Sequence, residues 1–178
     1  MPPRKSSQAV AILNPEHLFD QAEKLILSPP AGRPRQVDIR RAISAAYYGV
    51  FHATLAAAAD QFVGVTKRNT KLYTLVYRSV DHGWFRDLCL EVRKTQLPDK
   101  YQQYVTGGGL GGNIQAFAAT ALEIQKKRHS ADYDPSLRVN SSDAVIAIKA
   151  ARSALTRFNT ADAGARESFL GLLLFRPR

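Results

Sequence analysis

Residues 40–52, RRAISAAYYGVFH, lie within a stretch that predicts one long helix over about residues 38–62. Apolar and small side chains recur there at three- and four-residue steps, which is the periodicity of a helix face that packs against other elements. The positions are Ile39, Ile43, Tyr47, Val50, Thr54 and Ala58. The run ATLAAAA that follows favours a helix and has small side chains. We therefore predict that this helix packs closely against a neighbouring helix.

Breaker residues divide the rest of the chain into further helical segments. Asn14 followed by Pro15 is typical of a helix start, and DHG at residues 81–83 predicts a break or kink. The predicted helices cover about residues 14–27, 38–62, 67–94, 113–129 and 141–158. Because no run indicates a strand, we predict an all-α, up-down bundle of about five helices.

The length of 178 residues fits a single domain over residues 1–178. Residues 1–13 are expected to be a flexible N-terminus without the apolar core of a signal peptide. Residues 162–178 form an apolar C-terminal extension, ending in ESFLGLLLFRPR. We expect it to pack on the bundle or in a homodimer interface, with ATLAAAA as the other part of that interface. No run approaches the ~20 apolar residues of a membrane span, so we expect a cytoplasmic protein that does not enter the membrane.

The glycine run TGGGLGG at residues 106–112 contains a formal G-x-G-x-x-G pattern. A dinucleotide fingerprint needs a preceding strand within a βαβ unit, and no such unit is evident, so the run predicts a mobile loop between helices. The single cysteine, Cys89, lies in an apolar helical context and is expected to be a buried thiol. His17, His52, His82 and His129 show no metal-ligand spacing, so we predict neither a metal nor another cofactor.

The charge balance of 25 Lys and Arg against 15 Asp and Glu gives a net charge of +10. Such an excess favours encounter with polyanions, chiefly nucleic acid. Simple solubility and an acidic protein partner are the alternative explanations.

Two groups of polar residues interrupt the apolar helix faces. Arg41, Tyr48 and His52 lie within roughly 40° of one another on the long helix, either as the wall of a site or as the rim of a core. Arg128 continues the apolar stripe of the fourth helix, and a buried guanidinium needs a carboxylate, a phosphate or water beside it. Asp132 is a local candidate, as is Asp134; the alternative is an arginine that reaches out from the helix end.

An up-down bundle would place these two groups at similar heights. In that topology the second and fourth helices point in the same direction. His52 and Arg128 then lie about 21 to 23 Å from their respective helix starts, at ~1.5 Å per residue. We therefore expect His52 and Arg128 to face one polar cleft.

The segment AISAAYYGVFHA and the later KKRHSADYDP together resemble the HEPN superfamily. The resemblance covers the second to fourth predicted helices. It implies an up-down helical bundle that commonly dimerises. Many members are metal-independent ribonucleases, often in toxin–antitoxin or defence systems, and others are non-catalytic partners of small nucleotidyltransferases. Catalytic members carry an arginine followed, after four to six residues, by a histidine; here Tyr133 stands at such a position after Arg128.

The resemblance and the residue types define the candidate site. Histidine is suited to proton transfer near neutral pH and arginine to stabilising a charged phosphorane. The catalytic candidates are His52, Arg128 and Tyr133. The nucleic-acid-binding candidates are Arg41, Tyr48, Lys126, Lys127 and His129. Three functions remain open: an RNA- or nucleotide-binding protein that partners a nucleotidyltransferase or another acidic protein, a metal-independent endoribonuclease with an Arg-x4-Tyr motif, and a structural homodimer.

Overall fold

A computed structural model describes residues 12–27, 32–105 and 109–177, and these residues form helices and loops without a strand. The helices are α1 (Glu16–Ile26), α2 (Gln36–Val63), α3 (Lys71–Tyr77), α4 (His82–Val92), α5 (Asp99–Gln102), α6 (Gly111–Tyr133), α7 (Ser141–Asn159) and α8 (Ala163–Leu174). A 3-10 turn at Val65–Lys67 follows α2. The prediction of an all-α fold is confirmed, but about five helices is too few.

The additional helices arise at local start signals. The Asp81 side chain accepts a hydrogen bond of 2.7 Å from the Trp84 amide and begins α4, so the predicted third helix is two helices, α3 and α4. Asp162 caps α8 in the same way through the Ala165 amide, at 3.0 Å. The fourth predicted helix, now α6, starts at Gly111 instead of Asn113 and continues past His129 to Tyr133. Both predicted ends therefore lie inside the observed helix.

Helix α2 is the centre of the fold. It packs against α1, α3, α6, α7 and α8, so its buried residues are distributed around its circumference. By length and composition α2 is apolar enough to cross a membrane, but 72% of its most apolar window is buried inside the protein. The core helix of a folded domain passes the same test.

Gly49 lets α1 approach α2 closely. An added Cβ at Gly49 would lie 2.6 Å from the Cζ atom of Phe19, which is buried on α1. The guanidinium carbon of Arg152 also lies over the Phe19 ring, 4.8 Å from its centre. The absence of a side chain at Gly49 therefore sets the contact between α1 and α2.

Gly49→Ala is expected to lower the free energy of unfolding by about 1–3 kcal/mol, because a packed ring must move to admit the methyl group. Gly171→Ala is the matched control: it lies inside α8, and an added Cβ would meet nothing within 4 Å. That change should stabilise the protein by about 0.5–1 kcal/mol through helix propensity alone. Urea denaturation measures both, and equal effects of the two variants would contradict the close contact at Phe19.

The apolar C-terminal extension forms α8 and is packed into the core. Phe169 is fully buried, with the rings of Phe117 and Phe158 at 5.6 and 6.1 Å. In the ATLAAAA run, Thr54, Leu55, Ala58 and Ala59 are also buried within the chain. Both segments thus find their apolar contacts in one protomer, so neither requires a second copy.

Some predicted features fall partly outside the described residues. Residues 1–11 of the predicted flexible N-terminus lie outside them, while Ile12 packs against Val63 and Tyr73. Residues 106–108 of the glycine run also lie outside. Gly111 and Gly112 belong to the first turn of α6, where Gly111 has a φ of 71°. The loop predicted there is therefore shorter than the glycine run.

Candidate functional site

A seam of polar contacts joins α2 to the end of α6 and to the loop beyond it. Residues on α2 at four-residue spacing supply this seam: Gln36, Arg40, Ser44 and Tyr48. The Gln36 side chain donates to the Val139 carbonyl and accepts from its amide, at 2.6 and 3.1 Å. The Arg40 guanidinium donates to the carbonyls of Ala131 and Asp134, both at 2.6 Å. A cation at these carbonyls complements the C-terminal end of α6.

The order of these contacts shows that α2 and α6 are antiparallel. Gln36, at the start of α2, contacts Val139, whereas Tyr48, about three turns later, contacts Arg128. The residue numbers of the contacting partners thus fall as those on α2 rise. The assumption that the two helices point in the same direction is therefore wrong, because the chain between them folds into three short helices, α3, α4 and α5, instead of one long helix. Arg128 nevertheless meets Tyr48, one helical turn before His52.

Arg128 is enclosed by aromatic rings and one carboxylate. Its side chain is only 15% exposed, and its Nη2 donates to the Tyr48 hydroxyl at 2.7 Å. Its Nε lies 2.7 Å from Asp132 Oδ2, yet this buried N–H is too poorly aligned with that oxygen to form a hydrogen bond. The contact with Asp132 is thus a charge contact. Of the two predicted carboxylate partners, Asp134 instead accepts from Ser136.

The surroundings keep Arg128 charged. Burial lowers the pKa of Arg128, but the hydrogen bond with Tyr48 and the charge of Asp132 outweigh it, so the net shift is upward. The guanidinium carbon also lies 5.3 Å from the Tyr48 ring and 5.5 Å from the Tyr133 ring. These distances fit cation–π contacts, which hold the charge in place.

Two histidines stand beside this arginine. The Nδ1 of His52 shares a hydrogen bond of 2.8 Å with the Tyr77 hydroxyl, and the Nδ1 of His82 shares one of 2.8 Å with the Tyr47 hydroxyl. Burial lowers the pKa of His52, and the nearby His82 lowers it further. Burial also lowers the pKa of His82, with a further contribution from the charge of Arg128. Both imidazoles are therefore neutral at neutral pH.

His82 was missed as a site residue by sequence reasoning. The available signal was the break at residues 81–83, because a helix that restarts there can turn its first side chain towards α2. The structure shows this arrangement, with the His82 ring 4.0 Å from the Phe51 ring and 5.7 Å from the Tyr48 ring.

His52 and Arg128 both lie beside the Tyr48 ring. The centre of that ring is 6.1 Å from the centre of the His52 ring and 5.3 Å from the Arg128 guanidinium carbon. Their separation cannot exceed the sum of those two distances.

Two surface grooves flank Arg128. The α2–α6 groove, about 780 Å³, lies between α1, α2 and the end of α6. Its lining includes Leu18, Leu25, Val37, Arg40, Arg41, Ser44, Tyr48, Asp132 and Tyr133. The α4–α6 groove, about 390 Å³, is lined by residues that include Arg86, Leu90, Arg93, Leu122, Glu123, Lys126, Arg128 and His129. Arg128 thus lines one groove and contacts two tyrosines of the other.

The predicted site residues divide between these grooves. Arg41, Tyr48 and Tyr133 line the α2–α6 groove, whereas Lys126, Arg128 and His129 line the α4–α6 groove. The surface continues from one groove to the other, because the exposed rings of His129 and Tyr133 lie 4.9 Å apart. His52 and Lys127 line neither groove.

Two further features bear on chemistry. The Cys89 thiol is fully buried, and burial raises its pKa, which keeps it protonated and unreactive. In the part of the chain that the structure describes, no group of three or more His, Cys, Asp or Glu side chains is placed to hold a metal ion.

No protein-family profile, curated protein or solved structure matches this chain. The resemblance to the HEPN superfamily therefore rests on the sequence motifs around Tyr47 and Arg128.

Proposed function

We propose that this protein is an HEPN-like, up-down helical protein of a toxin or defence system that binds RNA or a nucleotide. The observation that carries the proposal is the position of Arg128, a charged guanidinium held between two grooves whose rims bear further cations. The net charge of +10 supports it, since an excess of this size attracts polyanions.

The geometry favours binding over cleavage. The charge of Arg128 is already in contact with Asp132, and its Nη2 is bound to Tyr48. His52, the predicted proton-transfer residue, lines neither groove. A phosphate seated in either groove would therefore contact cations without reaching the His52 imidazole.

The test is the affinity for a labelled single-stranded RNA and for ATP, measured by anisotropy and calorimetry. We expect RNA binding that weakens steeply with salt and loses at least about tenfold in Arg128→Ala, since a charge-assisted contact is worth about 1.5–3 kcal/mol. His52→Ala should leave the affinity within about twofold, because phosphate contacts come from cations. Failure of the wild-type protein to bind either ligand at low salt would overturn the proposal.

The second candidate is a metal-independent endoribonuclease, favoured by the neutral histidines beside Arg128. In such a reaction the His52 imidazole takes the proton of the substrate 2′-OH, whose oxygen attacks the adjacent phosphorus and displaces the 5′-oxygen. The departing 5′-oxygen takes up a proton from water, the protonated His52 returns its proton to the solvent, and a 2′,3′-cyclic phosphate remains. Arg128 would stabilise the charged phosphorane. The resemblance suggests Tyr133 as a group that orients the phosphate.

An RNA cleavage assay in EDTA separates the two candidates. The binding function predicts intact RNA with the wild-type protein. The ribonuclease predicts cleavage that His52→Ala abolishes while most of the RNA affinity remains. Cleavage that persists in both His52→Ala and Arg128→Ala would indicate a contaminating nuclease.

A further inference from the structure

The α4–α6 groove is built from two facing helical stripes. Arg86, Leu90 and Arg93 follow one another on α4 and at its end, at spacings of four and three residues. Leu122, Lys126 and His129 repeat the same spacings on α6. This spacing places each set on one face of its helix. Each stripe thus contributes a leucine to the floor and basic side chains to the rim.

The charges of this groove are not all neutralised. Arg86 is paired with Asp87 at 2.8 Å, and Arg128 is in contact with Asp132. Arg93 and Lys126 form no ion pair within the described residues. Glu123 is the one carboxylate among the lining residues of the described chain. Two cations on opposite rims are therefore available to an anionic ligand.

The shape and borders of the groove indicate the kind of anion. The seven helical steps from Arg86 to Arg93 span about 10 Å, which is longer than the ~3.4 Å rise per nucleotide of one duplex strand. The floor leucines are half-buried, so the groove offers no large apolar surface for a membrane. The exposed rings of His129 and Tyr133 stand at its edge, 4.9 Å apart. Aromatic rings beside a basic groove suit stacked bases more than an acidic peptide.

We propose that the α4–α6 groove binds the phosphodiester backbone of RNA through Arg93 and Lys126, with His129 and Tyr133 as a stacking surface at its edge. The inference rests on the proposed function and assigns its phosphate contacts to one of the two grooves. It adds Arg93 to the binding residues and leaves Lys127 out of them. The shared phosphate chemistry would also suit a free nucleotide, which the experiment distinguishes.

The chain offers a matched control for this proposal. Each proposed contact has a basic neighbour in the sequence that lies outside the groove: Lys94 follows Arg93, and Lys127 follows Lys126. All four residues are exposed. The double variants R93Q/K126Q and K94Q/K127Q therefore carry the same net charge. The second also removes the exposed ion pair between Lys94 and Glu91, at 2.6 Å, which contributes below about 1 kcal/mol, so both variants should fold. Only the first removes cations from the groove.

The measurement is the dissociation constant of a labelled ~12-nucleotide single-stranded RNA over a range of salt concentrations. We expect R93Q/K126Q to bind at least about tenfold more weakly and to lower the salt slope by about 1.4, since each single-strand phosphate contact contributes ~0.7. K94Q/K127Q should stay within about threefold of the wild-type protein, as expected for long-range charge alone. Glu123→Gln should bind about twofold more tightly, because it removes the opposing carboxylate from the groove.

The outcomes separate this inference from the proposed function. If the wild-type protein binds neither RNA nor ATP, the proposed function fails and the groove assignment fails with it. If the wild-type protein binds RNA and the two double variants lose equal affinity, the function stands and the groove assignment is wrong. If ATP displaces the RNA and its own affinity falls in R93Q/K126Q alone, the groove is a site for a free nucleotide. Matching thermal unfolding curves of the two double variants confirm that both are folded.

Discussion

Phe169→Ala is expected to lower the free energy of unfolding by about 3–5 kcal/mol. Phe169 is fully buried in α8, and its ring meets those of Phe117 and Phe158 edge-on. Large rings around a deleted ring cannot easily fill the cavity, so the variant loses burial and packing together. Urea denaturation followed by far-ultraviolet circular dichroism measures the loss.

Phe175→Ala is the matched control for that substitution. It removes the same kind of side chain six positions later, just after the end of α8. Phe175 is 59% exposed, and among the aromatic rings described it contacts only the exposed ring of Phe62. The expected cost is below about 1 kcal/mol. Equal costs for the two variants would contradict the packing of α8 in the core. A cost of Phe169→Ala that depends on protein concentration would instead show that a second copy buries the ring.

The sequence predicted the elements whose small and apolar residues repeat at helical spacing over a long stretch, and it missed the shorter or unpatterned ones. Helix α2 was evident because its small and apolar residues repeat over 28 residues. Helix α8 was treated as an apolar tail because Phe169, Leu170, Leu172 and Leu173 are nearly consecutive and give no helical stripe. Such a pattern arises when a helix is covered on several sides. Helix α5 is a single turn of four residues, too short for any periodicity.

The candidate site was predicted in its residue types but not in its pairings. The prediction brought Arg128 to His52 at the same height on parallel helices, whereas Arg128 donates to Tyr48, one turn earlier on an antiparallel helix. That direction depends on how the chain folds between the two helices, and there it forms three short helices in place of the predicted long one. Periodicity also could not tell which of two adjacent arginines reaches α6: Arg40 binds its terminal carbonyls, while Arg41 lines the groove. Tertiary contacts decide such choices, and local sequence does not contain them.

Acidification from pH 7 to pH 5 is expected to destabilise the protein because of His52 and His82. Burial lowers the pKa of both imidazoles in the folded protein, so below the ordinary histidine pKa of ~6.5 the unfolded chain binds protons that the folded one does not. The stability that the two neutral histidines contribute is fully present above pH ~6.5 and is lost as the pH falls towards their pKa values in the folded protein. For each histidine, one unit of difference between the pKa values of the unfolded and folded states changes the free energy of unfolding by about 1.4 kcal/mol. The free energy of unfolding measured by urea titration at several pH values tests this.

The double variant His52→Asn/His82→Asn should flatten that pH dependence, because an asparagine amide can keep the hydrogen bond that Nδ1 makes to a tyrosine hydroxyl but does not titrate. His17→Asn is the control, since His17 is exposed on α1, and it should retain the wild-type profile. The carboxylates with lowered pKa values, such as Asp60 beside Arg68, stay ionised throughout this range and contribute only at lower pH. A profile that stays equally steep in the double variant would show that other groups take up the protons. A stability that rises towards pH 5 would contradict the neutral histidine pair itself, because protonated His82 would stand beside the fixed charge of Arg128.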